Sequence, residues 1–129
     1  MRKHHTQMSS KELEFLNQYV GKVSNWSFTL YSFKRVRGRM VTKVDALRVL
    51  TEGSIVEYHQ VDGKHRILYR GHFLVGRNCE VCAVFEPDTQ NVITTYRNYS
   101  HDCHATLDWS QYDSKIDIIR EIKGDFLHV

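Results

Sequence analysis

The residues best suited to chemistry lie near the end of the chain, between Arg97 and Asp113. This stretch, RNYSHDCHATLDWSQYD, contains His101, Cys103 and His104. Histidine changes its protonation state near neutral pH, and both histidine and cysteine bind zinc. The cluster can therefore be an acid–base centre, a metal site or a polar loop that docks onto the core. In the acid–base reading, His104 is the member we expect to act.

A zinc site would need Cys79 and Cys82 as further ligands. Both fall in a segment that reads as a strand, and positions three apart on a strand point to opposite faces. The chain has no second cysteine pair. We therefore predict neither a metal nor another cofactor, and a metal-stabilised regulator remains a lesser alternative.

Positive charge is concentrated in two parts of the chain. Six basic residues and one acid lie between Lys34 and Arg48, and the segment from Lys64 to Arg77 has four Lys or Arg and no acid. A cationic surface raises the local concentration of phosphates, so the pattern favours a nucleic-acid partner. A cationic face that serves only solubility is the alternative.

The composition is that of one globular domain. The chain has 129 residues, of which 41% are hydrophobic and 26% charged, and these values support a single folded core. It has no long apolar run, no apolar leader and three cysteines without a disulfide framework. We predict a flexible tail at 1–8, one domain over 9–129, no membrane contact and a cytoplasmic location.

Apolar periodicity predicts helices on both sides of a sheet. Ser9 and Glu12 form a capping-box pattern, and apolar residues then recur at helical spacing up to Gly21. Alternation of Trp26, Phe28 and Leu30 with the residues between them predicts a short extended segment over 26–31. A second helix is predicted over 42–53, and a C-terminal helix over 114–123, up to the following glycine. The residues that the second helix would bury are Val44, Leu47 and Leu50.

Between these helices the apolar period changes to two, which is typical of strands. Strands at 54–61 and 64–70 are joined by Asp-Gly, a strong hairpin signal, and strands at 80–86 and 91–98 are joined by a proline-containing turn. The predicted fold class is α+β, with N-terminal helices, a four-stranded antiparallel meander sheet and a C-terminal helix.

Alternation along these strands groups several polar residues. Arg66 and Arg70 share one face of their strand, and Thr94 and Tyr96 share one face of theirs. Because a wholly buried strand would not place two arginines on one side, we expect a shallow, basic hollow on one face of the sheet. Structural roles are the alternative: a strand former for Thr94, a cover of the core edge for Tyr96, and an ion pair with Glu57 for Arg66.

The order of elements resembles the ribonuclease-toxin superfamily that includes RelE, colicin-type tRNases and EndoU. Over about residues 29–98, RVRGRMVTKVDALRVLTEGSIVEYH, HRILYRG and VITTYRN look like a small family of bacterial mobile elements within it. That family's pattern is a histidine, arginines four and eight residues on, G-x-I-x-E-Y and I-T-x-Y. Arg35 and Arg39 match the arginines, while Tyr31 stands where the family has its histidine. The other matches are Gly53, Ile55, Glu57, Tyr58, Thr94 and Tyr96.

The resemblance implies a metal-independent endoribonuclease of toxin type that acts on RNA. Such cleavage needs a base, an acid and a cation on the phosphate, for which histidine and arginine are suited. The candidate catalytic residues are Arg66, Thr94, Tyr96 and His104, and the candidate nucleic-acid-binding residues are Arg35, Arg39 and Arg70. Other histidines on offer are His59, His65, His72 and His101.

A binding protein is the alternative to an enzyme. The same surface could serve a non-enzymatic phage or mobile-element protein that binds and inhibits a host protein or a nucleic acid, because a fold does not determine a function. The partners expected are therefore RNA and, beyond it, an antitoxin or a host protein.

Overall fold

The structure, a computed structural model, describes residues 1–29, 41–99 and 108–127. Within these ranges three helices pack against one six-stranded mixed sheet, so the predicted α+β class is confirmed. The helices are α1 (Ser10–Gly21), α2 (Lys43–Arg48) and α3 (Ile118–Leu127). The strands are β1 (Arg2–His4), β2 (Ser27–Phe28), β3 (Gly53–Val61), β4 (Lys64–Val75), β5 (Cys79–Glu86) and β6 (Asn91–Tyr99), in the sheet order β1-β3-β4-β5-β6-β2.

The sheet is larger than the predicted four-stranded meander. Strands β3 to β6 are the expected consecutive antiparallel strands, and the Asp62-Gly63 turn has the positive φ angles, 51° and 76°, that such a tight hairpin requires. The description of the whole sheet as four-stranded and antiparallel is wrong, because β1 adds to one edge and β2 pairs in parallel with β6 at the other. Strand β2 falls within the extended segment predicted over 26–31, whereas the three residues of β1 are too few to produce a period-two signal.

Residues 2–7 do not form the predicted flexible tail. Strand β1 pairs with β3 in antiparallel register, and a 3-10 turn (His5–Gln7) leads towards α1. The Lys3 side chain is buried, and its Nζ donates to both carboxylate oxygens of Glu12, at 2.8 and 3.0 Å, and to Ile116 O at 2.7 Å. A charged tripeptide looks like a solvated tail because its buried partners come from distant parts of the chain.

Helix α1 follows the prediction. Ser9 Oγ accepts from the Glu12 amide at 3.2 Å, and Glu12 Oε1 accepts from the Ser9 amide at 3.1 Å, which completes the capping box. Leu16 and Val20, one turn apart, are buried against the sheet. The helix ends at Gly21 as expected.

Helix α2 begins where predicted but is shorter, and it buries the predicted residues only in part. Thr42 caps it, and the helix ends at Arg48 rather than at residue 53. Leu47 and Leu50 pack against the core and are partly buried, but Val44 is 75% exposed, and the fully buried residues are Ala46 and Val49. Docking onto the sheet, and not hydropathy alone, selects the buried side of so short a helix. Gly53 already belongs to β3.

Helix α3 begins at Ile118, later than the predicted start at residue 114, and it continues through Gly124. Its start is held by two carboxylates, since Asp117 Oδ1 accepts from the Arg120 amide at 3.2 Å and Glu12 Oε2 accepts from the Ile118 amide at 3.1 Å. Ile118 and Ile122 are buried. The contact from Glu12 crosses most of the chain, so no local signal could place this boundary.

The pairing register separates the two faces of the sheet. One face, here called the helix face, packs against the helices through the buried residues Tyr58, Ile67, Tyr69, Ala83 and Phe85. The opposite face, here called the cavity face, carries the intervening residues of the same strands: Arg2, Glu57, His59, Arg66, Leu68, Arg70, Cys82, Val84, Thr94 and Tyr96.

Candidate active site

A cavity of about 320 Å³ lies on the cavity face. Three of the predicted catalytic residues, Arg66, Thr94 and Tyr96, line it together. The other lining residues are Arg2, Glu57, His59, Leu68, Val84 and Ile93. Apolar walls with a few convergent polar groups are typical of small-ligand sites.

The strand register explains why these side chains meet. Arg2 is opposite His59, and His59 is opposite Arg66, so the three side chains form a row across β1, β3 and β4. Directly opposed residues of antiparallel strands have Cβ atoms about 5 Å apart. Two permanent cations therefore flank one imidazole.

Arg66 keeps part of its guanidinium available. Its Nε donates to Glu86 Oε2 at 2.7 Å, and no other hydrogen bond engages the Arg66 side chain within the described part of the chain. The alternative pairing with Glu57 is therefore wrong. The Arg66 side chain is 30% exposed, whereas that of Glu86 is 3% exposed. A guanidinium held at one nitrogen can still present others to an anion.

Each carboxylate oxygen of Glu57 is bonded to a neighbouring side chain. Arg2 Nη1 forms an ion pair with Glu57 Oε2, and the Tyr112 hydroxyl donates to Glu57 Oε1 at 2.7 Å. Burial, assisted by this hydrogen bond to a carboxylate, raises the pKa of Tyr112 to about 12. Tyr112 thus remains a donor, and Glu57 anchors the wall of the cavity while its oxygens are occupied.

His59 is the group best suited to accept a proton. Burial lowers the pKa of His59 below its ordinary value of 6.5, and the positive charges of Arg2, the N-terminus and Arg66 lower it further, against the opposing effect of Glu57. The imidazole is therefore neutral at physiological pH and can act as a base. Its signal in the sequence was its place opposite Arg66 across the predicted hairpin.

Thr94 and Tyr96 supply neutral hydrogen-bonding groups. Burial raises the pKa of Tyr96, as do the adjacent Cys82 thiol and the charge of Glu57, so the phenol keeps its proton. Thr94 Oγ1 is buried, and it has no hydrogen-bond partner among the residues that the structure describes. A buried hydroxyl in that condition costs free energy unless a ligand or water bonds to it.

Arg70 is on the same face but does not line the cavity. Its Nε donates to Glu80 Oε1 at 3.0 Å and its Nη2 to Tyr99 O at 2.8 Å, and the side chain is only 12% exposed. Arg2, Arg66 and Arg70 thus each pair with a glutamate. The described part of this face is closer to charge balance than the basic hollow expected from the sequence.

His65 and His72, the other candidate histidines in the described ranges, have different environments. His65 is buried, and its Nδ1 lies 2.6 Å from the Tyr58 hydroxyl on the helix face, which makes it a structural residue. His72 is exposed and outside the cavity. Several predicted residues lie outside the described ranges: Tyr31, Arg35, Arg39, His101, Cys103 and His104.

The two described cysteines lie on opposite faces of β5. Cys82 is buried beside Tyr96, while the Cys79 thiol donates to Arg77 O at 3.4 Å. Over residues 1–29, 41–99 and 108–127, no group of three or more His, Cys, Asp or Glu side chains is placed to hold a metal ion.

Comparisons with protein-family models, with curated proteins and with solved structures found no match to this chain. In the described ranges, none of the helices has the length and apolar character needed to span a membrane. Function is therefore inferred from the chemistry of the cavity.

Proposed function

We propose that this protein is a metal-independent endoribonuclease of toxin type, and that it cleaves RNA in the cavity on the cavity face. The observation that carries the proposal is the row of Arg2, His59 and Arg66, in which a neutral imidazole lies between two cations. A base beside a guanidinium is the pairing that attack of a 2′-hydroxyl on its own phosphodiester requires.

In the proposed reaction a ring nitrogen of His59 removes the proton of the 2′-hydroxyl. The 2′-oxygen then forms a bond to phosphorus, and the bond from phosphorus to the 5′-oxygen breaks. A general acid gives a proton to that 5′-oxygen, so the products are a 2′,3′-cyclic phosphate and a free 5′-hydroxyl. His104 is proposed as this acid from the sequence alone.

The other cavity residues are proposed to hold the phosphate. Arg66 can direct guanidinium N–H groups at a phosphate oxygen while Glu86 fixes the side chain through Nε. The Thr94 hydroxyl and the protonated Tyr96 phenol add uncharged donors. Donors held in place in a partly buried site stabilise developing charge without reorganising.

A non-enzymatic binding protein is the second candidate. The observation that favours it is the pairing of Arg2, Arg66 and Arg70 with glutamates, which limits the excess positive charge available to RNA phosphates. In this case the cavity face would bind and inhibit a host protein or a nucleic acid without chemistry.

Incubation of the purified protein with total RNA, with and without EDTA, separates the two candidates. The nuclease proposal predicts cleavage that EDTA does not abolish, with cyclic phosphate ends on the products. RNA that is bound and left intact would support the binding protein. Absence of both cleavage and binding would rule out RNA as the ligand in either candidate.

Two histidine variants test the role of the base. His59→Ala is expected to lower the cleavage rate by about a hundredfold or more, as loss of a general base does. His72→Ala is the matched control, because His72 is exposed and away from the cavity, and its rate should not change. Equal rates in the two variants, with folding retained by circular dichroism, would exclude His59 as the base.

The pH profile tests the same assignment independently. Because the base must be neutral, kcat/KM should fall as pH falls through the pKa of His59, which lies below 6.5. Removing the charge of Arg2 by Arg2→Met should raise that pKa and move the acid limb to higher pH. An acid limb above 6.5 in the unmodified protein would contradict the assignment.

A further inference from the structure

A second cavity, of about 330 Å³, adjoins the first. It is lined by Met1, Arg2, His59, Ser110 and Gln111, so the two cavities share Arg2 and His59. A ligand with its phosphate near Arg66 would therefore reach the second cavity by passing the proposed base. Its other lining residues, Met1, Ser110 and Gln111, have no role in the phosphate chemistry described above.

One wall of the second cavity is a turn held by hydrogen bonds. The 3-10 turn Trp109–Gln111 is capped by Asp108, whose Oδ1 accepts from the Ser110 amide at 3.1 Å and from Ser110 Oγ at 2.6 Å. The following residues fasten the turn to β1, since the Asp113 amide donates to Arg2 O at 2.8 Å. The turn is thus positioned before any ligand arrives, which lowers the entropic cost of binding.

Trp109 is the first residue of this turn, directly precedes the cavity-lining Ser110 and presents an aromatic surface to solvent. It is 51% exposed, although it contacts His4 edge-on at a centroid distance of 5.5 Å and Tyr112 at 5.3 Å. Among the residues that the structure describes, the Gln111 side chain has one long contact, from its Nε2 to Asp108 Oδ2 at 3.4 Å, so its amide can both donate to and accept from a ligand. An exposed indole and an amide two residues apart on one turn suit a nucleobase, which offers a flat face and a hydrogen-bonding edge.

We propose that Trp109 and Gln111 form a base-recognition subsite for the nucleotide next to the cleaved phosphate. The proposal deepens the nuclease function and rests on it for the identity of the ligand. Trp109 stacks on the base, and Gln111 bonds to its edge. Only an unpaired base can be stacked and read in this way, so the substrate class is single-stranded RNA.

Quenching of tryptophan fluorescence tests the subsite without cleavage. The probes are short homopolymeric oligonucleotides of each base, with the 2′-hydroxyls replaced by hydrogen so that they cannot be cut. The unmodified protein should show quenching that Trp109→Phe lacks, because the remaining Trp26 packs against Phe85 on the helix face. Equal quenching in both proteins would overturn the assignment of Trp109.

Substitution should weaken binding in a base-dependent way. Trp109→Ala is expected to raise the dissociation constant about tenfold for every base, as loss of one stacking partner does. Gln111→Ala should weaken one base more than the others. Leu74→Ala is the matched control, since Leu74 is also exposed and apolar but lies near the far end of β4. If Gln111→Ala raises the dissociation constant equally for every base, Gln111 does not recognise the base edge.

The outcomes distinguish this proposal from the nuclease function. Cleavage of RNA with a rate and a base preference unchanged in Trp109→Ala and Gln111→Ala leaves the nuclease standing and overturns the subsite. Quenching that depends on Trp109, without cleavage of natural RNA, supports the subsite and overturns the nuclease. No binding of any oligonucleotide overturns both.

Discussion

Two neighbouring residues of β1 show how the two faces of the sheet differ. Lys3 points to the helix face, where Glu12 binds its ammonium with both oxygens and also accepts from the backbone amides of Ser9 and Ile118. Arg2 points to the cavity face, where Glu57 binds one of its nitrogens. Each residue forms an ion pair with a glutamate, but the groups that surround the two ion pairs differ.

On the helix face, the polar groups around Glu12 satisfy one another and join β1, α1 and α3. The cavity face also has ion pairs, but some of its hydrogen-bonding groups have no partner among the described residues. These groups are the Thr94 hydroxyl and the nitrogens of the Arg66 guanidinium other than Nε. Buried polar groups that are fully bonded stabilise a fold, whereas groups left partly bonded can bind a ligand. We expect substitutions on the first face to affect stability and those on the second to affect function.

The largest effect is expected at Glu12. Glu12→Ala leaves the Lys3 ammonium buried without its partner and removes a cap from two helices, so the free energy of unfolding should fall by about 3–5 kcal/mol. Urea denaturation measures it. Glu14→Ala, on the exposed side of the same helix, is the control and should cost less than about 0.5 kcal/mol. Similar losses would refute the special role of Glu12.

A matched pair of arginine variants tests the division within the cavity face. Arg66→Lys should lower kcat/KM for RNA roughly tenfold, because lysine lacks the planar fork, with a small change in stability. Arg70→Lys should lower the free energy of unfolding by about 1 kcal/mol through its bonds to Glu80 and Tyr99, and leave kcat/KM unchanged. A loss of kcat/KM in Arg70→Lys but not in Arg66→Lys would show that Arg70 binds the phosphate.

Acid should weaken the fold through two glutamates. Burial raises the pKa of Glu12, but hydrogen bonds from Lys3, Ser9 and Ile118 lower it by more, so it lies below the ordinary 4.5. Burial also raises the pKa of Glu86, and hydrogen bonds from Thr89 and Arg66 bring that pKa below 4.5 as well. Their stabilisation is complete above about pH 4.5 and is lost as pH falls through the lowered values. The urea midpoint should therefore fall less steeply with falling pH in Glu12→Gln and in Glu86→Gln than in the unmodified protein. An unchanged slope in both would contradict the linkage.

The smallest effect is expected in α2. Val44→Ser should change the free energy of unfolding by less than about 0.5 kcal/mol, because Val44 is 75% exposed. Ala46→Leu is the contrasting variant, since Ala46 is fully buried and a larger side chain there should cost about 1–3 kcal/mol. Equal effects on the urea midpoint would show that the helix docks by the other side.

Much of the fold could be predicted because its signals are local. The capping box of α1 and the Asp62-Gly63 hairpin depend on neighbouring residues, and both are confirmed. The exposure of Val44 in α2, the start of α3 and strand β1 could not be predicted. In each case the deciding partner comes from elsewhere in the chain, as Glu12 does for the Ile118 amide.

The candidate site shows the same division. Alternation along single strands grouped Arg66 with Arg70 and Thr94 with Tyr96, and the cavity brings Arg66, Thr94 and Tyr96 together. It could not show that Glu80 and Tyr99 bind the Arg70 side chain, or that burial and the charge of Arg2 lower the pKa of His59.

By itself the sequence determined the α+β class, the antiparallel hairpins and the residues that share a face of one strand, because these follow from the short-range geometry of the backbone. Only the tertiary structure decided which glutamate pairs with each arginine, that β1 brings Arg2 beside His59, and that the turn at Trp109 closes a second cavity. The physical reason is that pairing, burial and the pKa shifts they cause depend on distances between residues far apart in the chain, which no local pattern records.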